Sequence, residues 1–117
     1  MLRDERRVAG TVTSMRWVDV GSVDRLAPGL PVRVDVEGAE VVVWRLADGR
    51  LAALDDRCAH QEIRLSLGSV VDGCIVCAAH SWAFDRDGWS VPMGTSKVRT
   101  WLVRERDGRI EVDADAT

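Results

Sequence analysis

The sequence predicts an all-β domain of antiparallel strands, on three observations. Valine fills 18 of 117 positions, and β-branched side chains suit a pleated, half-buried surface better than a helix. Val32-Arg33-Val34-Asp35-Val36-Glu37 alternates apolar and polar at every step, the period of a strand with one buried face. Nowhere do apolar residues keep a 3.6-residue period for three turns.

In chain order, residues 1–14 mix charges without periodicity and read as an N-terminal arm. Met15 to Val20 is a first strand, and Val23 to Leu26 one short helical turn. Val32 to Glu37 follows, then a turn at Gly38-Ala39. Val41-Val42-Val43-Trp44 is a partner strand apolar on both sides, so residues 32–46 form a hairpin. Asp48-Gly49 turns the chain into a strand from Leu51 to Leu54. Near the C-terminus Val98 to Val103 and Arg109 to Val112 pair around Asp107-Gly108. With strands on both sides and no linker or repeat between them, residues 15–117 form one domain. Residues from about 57 to 93 are a small lobe inserted into an antiparallel sandwich or barrel.

Composition bounds the function. A hydrophobic content of 46% supports a single core. A net charge of −3 argues against nucleic acid, which favours a basic face. No apolar run approaches the ~20 residues that span a bilayer. Arg6-Arg7 is followed by no apolar stretch of the kind an export signal needs, so the expected location is the cytoplasm. Three cysteines is an odd number for a disulfide framework, which turns attention to metal binding.

The unusual residues all fall in the segment 57–93. It holds Cys58-Ala59-His60 and Cys77-Ala78-Ala79-His80, the second pair beginning after the stretch Gln61 to Val76, and it uses every histidine in the chain. Thiolate with imidazole is a ligand set of Zn²⁺ or of iron–sulfur centres. A classical zinc finger places two cysteines, then two histidines, ahead of a helix. Here each loop offers Cys then His among β patterning, an order that disfavours a finger. Cys74, between Val71 and Ile75-Val76, reads as an inert buried strand residue outside the site.

These residues resemble the Rieske iron–sulfur family, whose pattern is Cys-x-His, a spacer, then Cys-x-x-His. The likeness extends to Leu65-Ser66-Leu67-Gly68, Asp72-Gly73, Ile75-Val76-Cys77, Trp82-Ala83-Phe84-Asp85 and Asp87-Gly88, and covers roughly residues 16–113. It implies a Rieske-like fold and a [2Fe–2S] cluster with Cys58 and Cys77 on one iron and His60 and His80 on the other. Ala78 and Ser81 stand where members commonly carry Pro and Gly. Ile63 and Ala79 stand where the cytochrome bc class has a disulfide between the loops, which excludes that class. Trp82 and Phe84 are expected to pack around the cluster loop, and Pro92 to lie on a third, covering loop. Glu62 and Arg64 read as solvated charges.

With two thiolates and two neutral imidazoles the oxidised site sums to zero charge, so adding one electron is easier than in a four-cysteine centre. The expected chemistry is one-electron transfer, not catalysis: no histidine remains for a mononuclear iron. The resemblance implies a ferredoxin that carries electrons from a flavin-dependent reductase to a terminal oxygenase, docking near His60 and His80. A Rieske subunit of a split oxygenase and a structural zinc module for protein interaction are the alternatives. In high-potential relatives a serine and a tyrosine, two and four places after the second histidine, donate hydrogen bonds to the cluster. Here those places hold Trp82 and Phe84, which implies a low potential.

Overall fold

The computed structural model describes residues 16–115 except Pro28, 59–62, 79–81, 92–93 and Thr95. The arm at 1–14 therefore lies outside the described residues, as do His60, His80, Glu62, Ser81 and Pro92. Among the described residues ten strands carry the fold: β1 (Trp17–Ser22), β2 (Val32–Val36), β3 (Ala39–Arg45), β4 (Leu51–Asp55), β5 (Ser69–Val71), β6 (Cys74–Val76), β7 (Ala83–Phe84), β8 (Ser90–Val91), β9 (Val103–Arg106) and β10 (Arg109–Asp113). They form three antiparallel sheets, ordered β1-β10-β9, β2-β3-β4 and β5-β6-β7-β8. Helix among the described residues is limited to two 3₁₀ turns, Val23–Arg25 and Leu65–Leu67. The chain is all-β, as its valine content and alternation imply.

Strand β3 organises the interior. Val41, Val42, Val43 and Trp44 are all fully buried, because both faces of the strand are covered. Its side chains alternate between two apolar clusters. Val41 and Val43 pack with Val34, Val36, Ala53, Trp101, Ile110 and Val112 at the base. Val42 and Trp44 pack with Leu54, Cys58, Leu65, Ile75, Cys77 and Phe84 on the opposite face. The register obeys the same period: Val42 lies opposite Leu54 and Val43 opposite Ala53. An unbroken apolar run is what a strand buried on both faces requires.

Three hairpin turns share one solution. Glu37-Gly38, Asp72-Gly73 and Asp107-Gly108 each have φ positive at both residues, with Glu37, Asp72 and Asp107 between 52° and 53°. That is the primed turn whose twist matches the strands it joins. The turn expected at Gly38-Ala39 is thus one residue earlier, since glycine serves best as the second of the two central residues.

The expected strand over Val98–Val103 is also corrected. Regular pairing begins at Val103, and the preceding residues make isolated bridges, Trp89 with Lys97 and Leu54 with Thr100. The reason is packing: Val98 is buried in the cluster that holds the cysteines, and Trp101 in the base cluster. The segment's backbone bonds are divided as well, the Val98 amide donating to the Gly88 carbonyl at 2.8 Å and the Arg99 carbonyl accepting from the Asp55 amide at 2.9 Å, so no single partner strand runs alongside it. Trp101 is then tied to β4 by its indole, which donates to Asp55 Oδ1 at 2.8 Å, and by its amide, which donates to the Ala53 carbonyl at 3.0 Å.

Ile110 is fully enclosed in the base cluster. Ile110→Ala is expected to cost about 2–5 kcal/mol through lost burial and an unfilled cavity. Urea unfolding of the two proteins measures it; a difference under about 1 kcal/mol contradicts the packing described here.

Candidate metal centre

Cys58 follows β4 and Cys77 follows β6, so two strand ends deliver the two cysteines. Both are 1% exposed and belong to the same apolar cluster. Neither they nor Cys74 form a disulfide. Each begins a loop closed in the same way. The Cys58 amide donates to the Ile63 carbonyl at 2.8 Å, and the Cys77 amide donates to the Trp82 carbonyl at 2.7 Å. His60 stands by sequence within the first of these loops and His80 within the second. The structure thus places Cys58 and Cys77 in one cluster, and the two histidines lie outside the described residues.

The first loop is braced from behind. Asp56 is buried, and its carboxylate accepts from the Ser66 amide at 2.7 Å and from the Ser66 hydroxyl at 2.6 Å. That bracket fixes the 3₁₀ turn Leu65–Leu67, whose far end is Gly68. A Cβ built on Gly68 would stand 1.8 Å from the Val76 carbonyl oxygen and 3.3 Å from the Ala78 nitrogen. Gly68 has φ of −91°, a value any residue adopts, so space and not backbone freedom demands glycine here. The turn is therefore a strut: Asp56 pins one end beside Cys58, and the other end lies against the backbone on either side of Cys77.

The β5-β6 hairpin that leads to Cys77 is held from the opposite side, where the fully buried Trp44 donates its indole N–H to the Gly73 carbonyl at 3.0 Å. A third loop is closed by reciprocal bonds between Ser90 and Ser96. The Ser90 amide donates to the Ser96 carbonyl at 2.8 Å, and the Ser96 amide donates to Ser90 Oγ at 3.1 Å. Phe84 is fully buried and Trp82 partly so, packing against the cluster of residues around the cysteines. Asp56 and the Ser90–Ser96 closure had no signal in the sequence, and Trp44 and Ser66, though placed on a strand and in the family stretch, gave none for the hydrogen bonds they make.

Cys74 departs from the expectation of a buried residue. It is partly exposed on β6, on the face opposite Ile75, and Ile75 is the neighbour that packs with Cys58 and Cys77. Desolvation, then the nearby charges of Asp85 and Asp72, push its thiol pKa up. It stands apart from the paired cysteines and is a poor thiolate at neutral pH.

A thiolate buried in an apolar wall is costly without a cation, so two such thiols on hydrogen-bonded loops fit a metal centre with soft-donor preference. Among the described residues no group of three Cys, His, Asp or Glu side chains stands close enough to hold a metal. Of the four donors expected from the sequence, Cys58 and Cys77 are described. Their environment suits the sulfur-ligated half of an iron–sulfur centre.

Comparison with known proteins agrees with this chemistry. The family profile described as "Rieske [2Fe-2S] domain" matches residues 16–102. The anthranilate 1,2-dioxygenase ferredoxin subunit of Burkholderia cepacia is 34% identical over 104 residues, covering 86% of this chain and 94% of that protein. The cholesterol 7-desaturase of Bombyx mori is 35% identical over 109 residues, covering 86% of this chain and 24% of the other. Relatives of the latter kind are long, and this chain spans about a quarter of the length of the first of them. Among solved structures, the ferredoxin of carbazole 1,9a-dioxygenase from Nocardioides aromaticivorans IC177 superposes with a TM-score of 0.74 at 33% identity. That match covers 83% of this chain and 96% of the other.

Gly68→Ala is expected to force the Val76–Ala78 backbone aside and reduce iron bound per chain by more than half. Iron assay after purification measures it. Cys74→Ser is expected to leave iron content unchanged; its loss would place Cys74 in the site.

Proposed function

This chain belongs to the Rieske [2Fe-2S] domain family, and from that premise we propose that it is a one-electron carrier. It passes electrons from a flavin-dependent reductase to a terminal oxygenase, without catalysing the oxygenation itself. The observation that carries this reading is the extent of the likeness to ferredoxin components: the chain covers 94% of one such subunit and 96% of another. The ligands in this proposal are Cys58 and Cys77 on one iron, and His60 and His80 on the other. Residues 15–117 form the domain and about 57–93 the cluster lobe. As a member of the family the chain binds a [2Fe–2S] cluster, which when bound stores one electron at a potential that its surroundings tune.

The chain's own residues prepare that role. Burial of Cys58 and Cys77 keeps water from the sulfur side. The closures at Ile63 and Trp82 tie together the described residues at the two ends of each loop. Phe84, fully buried, offers no donor to a sulfur. Imidazoles at His60 and His80 would hold or release a proton according to the charge beside them, and docking near them is part of the proposal. The described residues include no helix long and apolar enough to cross a membrane. Location in the cytoplasm is part of the proposal.

A second reading is favoured by the oxygenase components among the relatives: the chain would be the Rieske part of a split oxygenase. Gel filtration separates the two. A carrier elutes apart from its oxygenase, whereas a fixed subunit co-elutes with a histidine-bearing chain in constant ratio.

The purified protein is expected to be reddish, with iron and sulfide in equal amounts. Cys58→Ser and Cys77→Ser should each abolish the colour; a Cys58→Ser protein that keeps its colour and iron refutes the ligand assignment. With Trp82 and Phe84 in place of hydroxyl donors, the midpoint potential is expected near −150 mV, the low end of the range for such centres. Voltammetry giving more than about +100 mV would show that other donors reach the cluster.

A further inference from the structure

Charge is divided unevenly over this molecule. Arginines on the flanking sheets have carboxylate partners: Arg33 with Glu40, Arg45 with Glu105 at 3.1 Å, Arg104 with Glu111 at 2.7 Å, and Arg109 with Asp19 at 3.0 Å. Arg57, Arg64 and Lys97 are exposed and form no ion pair with a described residue. All three converge on the surroundings of Cys58. Arg57 precedes it. Arg64 follows Ile63, whose carbonyl accepts the Cys58 amide. Lys97 adjoins Val98, which is buried in the cluster that contains Cys58.

Two exposed apolar side chains sit among these cations. Leu67 is 66% exposed, and its amide donates to the Arg64 carbonyl at 3.2 Å. Trp89 is 44% exposed, with the Lys97 ammonium 5.6 Å from its ring centre. A large aliphatic and an aromatic side chain beside cations that form no ion pair with a described residue have the composition of a protein interface: apolar anchors with a polar rim. Three described acids adjoin these residues, Asp55, Asp56 and Asp85, and Asp85 is held by the Asp87 amide at 2.9 Å and the Trp89 amide at 3.0 Å. Asp55 accepts from the Trp101 indole and Asp56 is buried against Ser66. Glu62 adjoins them in sequence and lies outside the described residues.

We propose that the edge formed by Arg57, Arg64 and Lys97, with Leu67 and Trp89, is a docking surface for the acidic face of a protein redox partner. The cations bring that partner to the side of the molecule where electrons leave Cys58's loop. Charge complementarity selects the occupant. The chain as a whole carries −3, so an acidic partner is disfavoured by the net charge and favoured by the local charge of this edge, which orients association as well as accelerating it. Three cations on an otherwise acidic chain are too few for a nucleic-acid groove.

This inference rests on the carrier reading, and one experiment separates the two. The dithionite-reduced protein, freed of reductant, is oxidised in a stopped-flow cell by the trianion hexacyanoferrate(III) or the trication hexaammineruthenium(III). Ionic strength is raised from about 10 to about 200 mM, which shortens the screening length from about 30 to under 10 Å. A cationic exit edge makes the hexacyanoferrate rate fall at least threefold with salt and the ruthenium rate rise. A poly-glutamate peptide at low salt slows hexacyanoferrate. Arg64→Glu/Lys97→Glu removes or reverses the salt effect, whereas Arg106→Glu, on β9, leaves it in place. A hexacyanoferrate rate that rises with salt, as the net charge of the chain alone would dictate, overturns the docking edge and leaves the carrier reading standing. A protein with no cluster absorption overturns both.

Discussion

Everything in this molecule hangs on the two-sided burial of β3. A strand with one wet face could support only one core, but Val41 and Val43 serve the base while Val42 and Trp44 serve the cysteine side. The base cluster is closed by β10 and Trp101, and the opposite cluster is completed by Ile75, Phe84 and the cysteines themselves. One strand register therefore sets the position of the metal-binding lobe relative to the sheets behind it. Slipping β3 by one residue would exchange its faces, sending Trp44 to the base and leaving the Gly73 carbonyl without its indole donor.

From that wall outward, the site is assembled by backbone bonds more than by side chains. Two loops of different sequence, Cys58–Ile63 and Cys77–Trp82, are closed by equivalent amide-to-carbonyl bonds. The closing residues are apolar and partly buried, which ties each loop to the core at both ends. Metal sites in small domains commonly draw part of their order from the metal, because a preformed set of ligands is otherwise entropically costly. Here the strut from Asp56 to Gly68 and the Trp44–Gly73 bond carry much of that cost in the polypeptide.

How far the sequence revealed this follows from the kind of signal each part emits. Strands with a regular period were legible: Val32–Val36 alternates, and the apolar run at Val41–Trp44 marks a strand covered on both sides. Cys58 and Cys77 were legible because thiols paired with histidines at short spacing are chemically rare. The two-residue strands β7 and β8 were not, since a period cannot be counted in two residues. Asp56 was illegible for another reason. A carboxylate beside a metal-binding loop looks solvated in sequence, and only the fold brings Ser66 to it. Gly68 lay within the stretch that carried the family resemblance, yet its physical reason, the Val76 backbone against its Cα, is a tertiary contact. Cys74 shows the converse error: its apolar neighbours suggested burial, but the pleat turns it to the less covered face of β6.

The same pleat explains how a carrier can bury its sulfur ligands and still exchange electrons over a short path. Cys58 and Cys77 are almost fully enclosed, yet the residues chemically bonded to them, Arg57 and Ala78, are exposed. The core ends within one residue of each ligand. A deeper site would protect the centre better and insulate it from any partner; a shallower one would admit water to the sulfurs and weaken the electrostatic control of the site. Placing Cys77 directly after β6 and Cys58 shortly beyond β4 satisfies both demands, because a position just past a strand can still pack into the core while it adjoins a loop. The ion pairs of the flanking sheets then have a functional consequence. With those arginines paired to carboxylates, Arg57, Arg64 and Lys97, which form no ion pair with a described residue, add positive charge beside that thin wall.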